Sequence, residues 1–139
     1  MKKIFLDSDV LLDLLLDREP FANDISALIE YSIRNDILLY TSPISITNIN
    51  YIVEKIENKS KANLKTKKIL EIVKIENVGQ KVIDKAKLSK FKDFEDAVQN
   101  FCAVDSKHKV IITRNTKDYK ESELSIFTAR ECLAKIQAE

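Results

Sequence analysis

Ile4-Phe5-Leu6 is apolar at every position, whereas the residues after Asp7 become apolar at helical spacing, with Val10, Leu11, Leu14 and Leu15 on one face. A run without alternation suits a strand buried on both sides, as in a parallel sheet. Asp7 ends that strand, and Ser8 or Asp9 caps the following helix with a hydroxyl or a carboxylate. The change of period leaves Asp7 at the carboxyl end of a strand, where ligands collect in open α/β sheets.

The same exchange of periods repeats down the chain. Pro20 opens a second helix with Ile25, Leu28, Ile29 and Ile33 facing inward, closed by Asn35-Asp36. Residues 37–40 read as a second strand. Ser42 and Pro43 then cap and begin a third helix that carries Ile46, Ile49, Ile52, Val53 and Ile56 inward and leaves Thr47, Asn48 and Asn50 in its early turns. A helix over 60–74 follows, then a third strand over 75–78 ended by Gly79. Val82, Ile83, Ala86 and Leu88 mark another helix. The next begins among Asp93, Glu95 and Asp96 and buries Phe101, Cys102 and Val104. Val110 to Thr113 is the clearest later strand, and a short strand over 125–127 with a helix from Thr128 to Gln137 completes the order. Strands alternating with helices predict an α/β fold whose mostly parallel central sheet is covered on both faces.

Composition narrows the reading. At 139 residues the chain suits one domain spanning 1–139 around a single core. Lys and Arg number 23 against 22 Asp and Glu, so net charge names no partner. The charges are unevenly placed: Asp7, Asp9, Asp13, Asp17, Glu19 and Asp24 crowd the start, and Lys59, Lys61, Lys65, Lys67 and Lys68 form a basic run that is either a solvated face or an RNA-contacting one. Asp7, Asp9 and Asp13 interrupt the first apolar stretch, which neither a signal peptide nor a membrane span tolerates, so a cytoplasmic protein without membrane contact is expected. Cys102 and Cys132 lack a CxxC partner and read as buried free thiols. A single glycine, Gly79, excludes the P-loop and the dinucleotide fingerprint.

Acids stand at strand ends, or at the helix starts beside them, in three places: Asp7 with Asp9, Asp93 with Asp96, and Asp118 beyond the strand at 110–113. Two carboxylates about 4 Å apart repel by about 4 kcal/mol at an effective dielectric of about 20. A cluster of them therefore needs a cation, a proton or a helix N-terminus. An oxygen-only set suits Mg²⁺ or Mn²⁺, and the chemistry this favours is metal-activated water attacking a phosphodiester. Ser8, Thr113 and Arg114 are the candidates for contacting substrate phosphates. Asp93 and Asp96 are equally spaced as an N-cap and a third-position acid. Asp13 and Asp17 read as surface residues, and His108 as a solvated loop residue.

Leu6-Asp7-Ser8-Asp9-Val10-Leu11, then Asp96-Ala97 on a helix, then Ile112-Thr113-Arg114-Asn115-Thr116-Lys117-Asp118-Tyr119, in this order and at these distances, resemble the PIN domain family, whose VapC-type members are toxin ribonucleases. The resemblance covers nearly the whole chain. It implies a three-layer α/β/α sandwich, Mg²⁺- or Mn²⁺-dependent RNA cleavage, frequent dimerisation and an antitoxin protein as partner. It places the family's first acid on Asp7 and its third on Asp96. The second, usually Glu, falls on Asn48, and the fourth, usually Asp, falls on Asn115. Asn offers a neutral oxygen, so the site has two negative charges fewer than the family pattern; Asp93 and Asp118 are the most natural compensations, with Asp9 as a further helper. Two other readings follow from the same residues. With Asn48 and Asn115 in place, a PIN-like fold can serve as an RNA- or protein-binding module without cleaving. Asp7-Ser8-Asp9 also resembles the start of a haloacid dehalogenase-type phosphatase, whose first Asp is a nucleophile, although Leu11 and the absence of a late Gly-Asp depart from that pattern.

Overall fold

A computed structural model describes residues 1–139. Five strands, β1 (Lys3–Leu6), β2 (Leu38–Thr41), β3 (Lys74–Ile75), β4 (Val110–Ile112) and β5 (Ser125–Phe127), pair in the order β3-β2-β1-β4-β5, and every pair is parallel. β1 is therefore central, which is why Ile4, Phe5 and Leu6 are all fully buried. Ile4 and Leu6 face one apolar cluster with Leu39, Val110 and Ile112, built against α1 (Ser8–Leu15), α2 (Phe21–Arg34), α3 (Pro43–Ile56), α4 (Lys59–Ile72) and α7 (Ala129–Gln137). Phe5 and Ile111 face a second cluster, against α5 (Gln80–Leu88) and α6 (Phe94–Asp105). Each large apolar side chain so buried contributes about 1.5–3 kcal/mol. Helices on both sides of the sheet make the three layers.

The chain runs outward from β1 through β2 to β3 and then returns to the other side of β1 with β4. The order reverses between β1 and β4, and in such sheets the crevice outside the strand carboxyl ends at that point is where ligands bind. Backbone bonds carry the ladder past the strand ends: the Asp7 amide donates to the Ile112 carbonyl at 2.9 Å, and the Thr113 amide to the Phe127 carbonyl at 3.0 Å. Asp7 and Thr113 thus flank the crevice.

Several expectations need correction. The N-cap of α1 is Asp7 itself, whose carboxylate accepts from the Ser8 amide, so neither Ser8 nor Asp9 caps the helix. Ile33 and Ile56 end on the surface, at 60% and 58% exposure, because no neighbouring element covers the ends of their apolar stripes. β3 is only two residues long, and Gly79 is the N-cap of α5. Asp13 is buried, not superficial. His108 is buried as well: its ring lies edge-on to Phe5 and Tyr40, and Nε2 pairs with Glu76. Burial lowers its pKa below the ordinary histidine value. Both cysteines are buried free thiols, and no helix is long and apolar enough to cross a membrane.

Candidate active site

Asp7 is the hub of the crevice. Its Oδ1 accepts from the Ser8 amide at 2.8 Å and from Gln99 Nε2 at 3.0 Å; its Oδ2 accepts from Thr113 Oγ1 at 3.0 Å and from Tyr119 OH at 2.9 Å. Donors from the start of α1, from α6, from the end of β4 and from a short 3-10 segment (Thr116–Tyr119) therefore meet on one carboxylate. Gln99 extends this network. Its Nε2 also donates to Ser45 Oγ at 2.5 Å, and its Oε1 accepts from Ser42, the N-cap of α3. Buried polar side chains are stable only when paired in this manner.

Asp9 lies beside Asp7. Its Oδ2 accepts from Thr113 Oγ1 at 3.0 Å, from the Arg114 amide at 3.0 Å and from Asn115 Nδ2 at 3.2 Å, while its Oδ1 is buried without a partner. The Thr113 hydroxyl has one proton for two carboxylates, and burial together with the charge of Asp7 raises the Asp9 pKa to about 6. Across the crevice, α6 begins with Asp93 as its N-cap, accepting from the Asp96 amide at 2.9 Å. Asp96 is half-buried. Desolvation, then the charges of Asp7, Asp93, Asp118 and Glu95, raise its pKa to about 7. Charges from the cap of α1, from the start of α6 and from the 3-10 segment thus act on one side chain.

Asn115 approaches Asp9, as just described. Asn48, on the second turn of α3, donates from Nδ2 to Glu95 Oε1 at 2.5 Å. Ser8 contributes its backbone amide to Asp7. Thr113 is buried and its hydroxyl turns to Asp7 and Asp9, away from solvent. Arg114 points its guanidinium to Asp13, with Nε at 2.9 Å from Oδ2 and Nη2 at 2.9 Å from Oδ1, and stacks on Phe21 at 4.4 Å. Asp118 lies with Asp93 and Asp96 in a cleft of about 630 Å³ whose lining also includes Lys90, Phe91, Lys92, Lys117 and Lys120.

Four contributors escaped the sequence reading: Gln99, Tyr119, Glu95 and Asp13. Gln99 had a local signal, because it falls three residues after Asp96 and hence on the same helical face, among residues that pack inward. Tyr119 closes the Ile112–Tyr119 motif, but nothing local gave its hydroxyl or the Asp13 carboxylate a role, since their partners are more than a hundred residues away. As placed, no three of these carboxylates close on one point. The donor set suits a cation held by one or two carboxylates and water, which is the usual habit of Mg²⁺, and the unpartnered Asp9 oxygen shows that the acids are not fully satisfied among themselves.

The PIN domain family matches residues 3–117. Ribonuclease VapC1 of Aquifex aeolicus (strain VF5) is 29% identical over 135 residues, covering 94% of this chain and 92% of that protein. Among solved structures, DNA-bound VapBC from Salmonella typhimurium superposes with a TM-score of 0.71 at 14% identity, covering 93% of this chain and 99% of that one. Mycobacterium tuberculosis VapC20, described as a sarcin-ricin loop cleaving toxin, gives 0.64 at 15% identity over 78% and 86%. At these identities the structural likenesses speak for the fold. The family match takes the strand ending in Asp7 away from the dehalogenase-type phosphatase reading.

Proposed function

Since the chain belongs to the PIN domain family, we propose that it is a Mg²⁺- or Mn²⁺-dependent endoribonuclease of the VapC kind, the toxin of a toxin-antitoxin pair. The relation to Ribonuclease VapC1 along nearly the whole chain supports the reaction class. The VapBC complexes among the structural likenesses are the reason to expect an antitoxin protein as partner.

The observation that carries the reading is charge imbalance in the crevice. Asp7, Asp9, Asp93, Asp96 and Asp118 gather at the sheet's carboxyl end, and none forms an ion pair with Lys, Arg or His. Helix N-termini answer part of the charge, on Asp7 and Asp93 as N-caps of α1 and α6; the remainder of such a cluster takes protons or a divalent cation. Asp7 and Asp96 are the residues that would hold the cation, with Asp93, Asp9 or Asp118 beside them. When bound, the cation polarises the phosphate and activates water for attack on the phosphodiester.

The chain's own residues do the rest. Gln99, Thr113 and Tyr119 hold the Asp7 carboxylate in one orientation, a preorganisation that costs nothing at the moment of reaction. Thr113 and Arg114 act here by positioning, through Asp7, Asp9 and Asp13. Contacts to the RNA strand are assigned instead to the cleft beside Asp96, where none of Lys90, Lys92, Lys117 and Lys120 is paired to a carboxylate although Asp93, Asp96, Asp118 and Glu121 line the same cleft. Free ammonium groups around an acidic floor match a phosphodiester strand crossing a cation.

The test is cleavage of a mixed RNA pool with Mn²⁺, with Mg²⁺ and with chelator, wild type beside Asp96→Asn. Metal-dependent cutting that the substitution removes is the expected result. A folded, inhibitor-free protein that cuts under neither metal overturns the nuclease reading in favour of an RNA- or protein-binding module.

A further inference from the structure

We infer that the Glu95 carboxylate adds its charge to the field at the divalent-cation site, beside the two ligands and not as a third one, and that Asn48 is its positioning residue; the inference rests on the metal-dependent reading above and adds to it a residue and a partner.

α3 and α6 meet beside Asp7. Their contact near the site has two rungs. In the inner one, Ser42 and Ser45 of α3 bond Gln99 of α6, which in turn bonds Asp7. One helical turn along α3 from Ser45 stands Asn48, and one turn back along α6 from Gln99 stands Glu95. An α-helix brings residues three and four apart onto one face, about 5–6 Å from each other. The outer rung is the Asn48 to Glu95 bond at 2.5 Å. It therefore lies directly above the buried network that orients Asp7, on the solvent side of it.

What the outer rung fixes is a charge. Glu95 occupies the first turn of α6, where a carboxylate gains from the helix dipole whichever way it points. It needs no partner there, and a long exposed side chain loses rotamer freedom when held. Holding it on Asn48 keeps a negative charge beside Asp96, which already stands among Asp7, Asp93 and Asp118. Asn48 is neutral and leaves that charge uncompensated. No Lys, Arg or His is ion-paired to Glu95. An unneutralised carboxylate held beside Asp96 raises the local negative potential, and a hard divalent cation is the ligand that profits from it.

A purely mechanical tie between α3 and α6 is the competing account, and Glu95→Gln separates the two. Gln keeps the side-chain oxygen that accepts from Asn48 and removes only the charge. The readout is Mn²⁺ affinity by titration calorimetry on the full chain, with thermal unfolding of each variant alongside. Glu95→Gln is expected to weaken Mn²⁺ binding by roughly tenfold with the metal-free melting temperature not lowered, and Asn48→Ala by a few-fold. In the Glu95→Gln background, Asn48→Ala is expected to add nothing, because its effect runs through the missing charge. Asn48→Glu combined with Glu95→Gln, which moves the carboxylate to the other side of the same contact, is expected to restore affinity to within about threefold.

Unchanged Mn²⁺ affinity in Glu95→Gln, with binding abolished in Asp7→Asn, overturns this assignment and leaves the metal site standing on Asp7. A reciprocal pair that stays as weak as Glu95→Gln overturns the positional argument for Asn48. A wild-type chain that binds no Mn²⁺ overturns the metal-dependent reading and this inference with it.

Discussion

Two sets of acids lie close together along α1 and its cap, and they meet opposite fates. Asp13 is 1% exposed and is held by the two-pronged Arg114 guanidinium, with Arg18 at 3.9 Å. Asp7 and Asp9, within two turns before it, face Asp96 with no cation paired to them. The first arrangement is complete in itself: each buried oxygen has its donor and the charges cancel. The second is complete only with something added. Burial is common to Asp7 and Asp13, so it does not mark function; what separates the two sets is whether the chain itself supplies the counter-charge.

Substitutions on the two sides should therefore differ in kind. Asp96→Asn should lower RNA cleavage at least about a hundredfold, yet leave metal-free stability unchanged or raise it, because it removes one charge from a crowd. Rates of product formation in Mn²⁺, read beside urea unfolding, check both halves; a loss of stability that parallels the loss of rate would dissolve the contrast. Arg114→Ala should do the reverse and destabilise the fold by about 2–3 kcal/mol, by stranding the Asp13 carboxylate, with a smaller part of the penalty relieved by Arg18. Equilibrium unfolding measures it.

The pH dependence sharpens the comparison further. Asp9 and Asp96 bind protons more tightly in the folded chain, at about 6 and about 7, than the ordinary carboxylate at 3.8. Between those values the folded state carries more protons than the unfolded one. The contribution of these two groups to stability is thus full below the ordinary carboxylate range and is lost as pH rises through 6 and 7. In chelator, the melting temperature of the wild type should rise on going from pH 8 to pH 5 by more than that of Asp96→Asn. Saturating Mn²⁺ should reduce this difference, since the cation takes the place of the proton. Equal pH slopes for the two proteins would show that Asp96 is not crowded in solution.

The smallest expected effect concerns the lysines. Lys92→Glu with Lys120→Glu should weaken binding of single-stranded RNA and flatten the salt dependence of its logarithm by about 0.7 for each phosphate that is no longer neutralised. Lys67→Glu with Lys68→Glu, on the basic run of α4, should leave that slope unchanged. Fluorescence anisotropy across a salt series distinguishes the cleft from the helix face. Lys65 of the same run is already committed within the fold, donating to the Leu15 carbonyl at 2.7 Å and to Glu57 at 3.0 Å.

The elements were legible because their periods were strong. A fully buried central strand has no choice but to be apolar throughout, and Ser42-Pro43 states a helix start in two residues. The ends of apolar stripes were not legible: whether Ile33 or Ile56 is covered depends on which neighbour packs there, and periodicity carries no word of neighbours. At the site, Asp7, Asp9, Asp93, Asp96 and Asp118 could be singled out from their places at strand ends and helix starts. The burial of Asp13 and His108 could not, because an ionisable residue in the interior is made tolerable by its partners, Arg114 and Glu76, and those pairings are tertiary.

Every distant side chain that secures Asp7 comes late: Gln99, Thr113 and Tyr119 stand 92, 106 and 112 residues after it. The first acid leaves the ribosome long before the groups that orient it. A nascent chain that has made β1, β2 and β3 has three of the five strands and no crevice, because β4 has yet to arrive on the other side of β1. The Asp7 carboxylate of a chain under translation therefore gains its full set of donors only after Tyr119 has emerged.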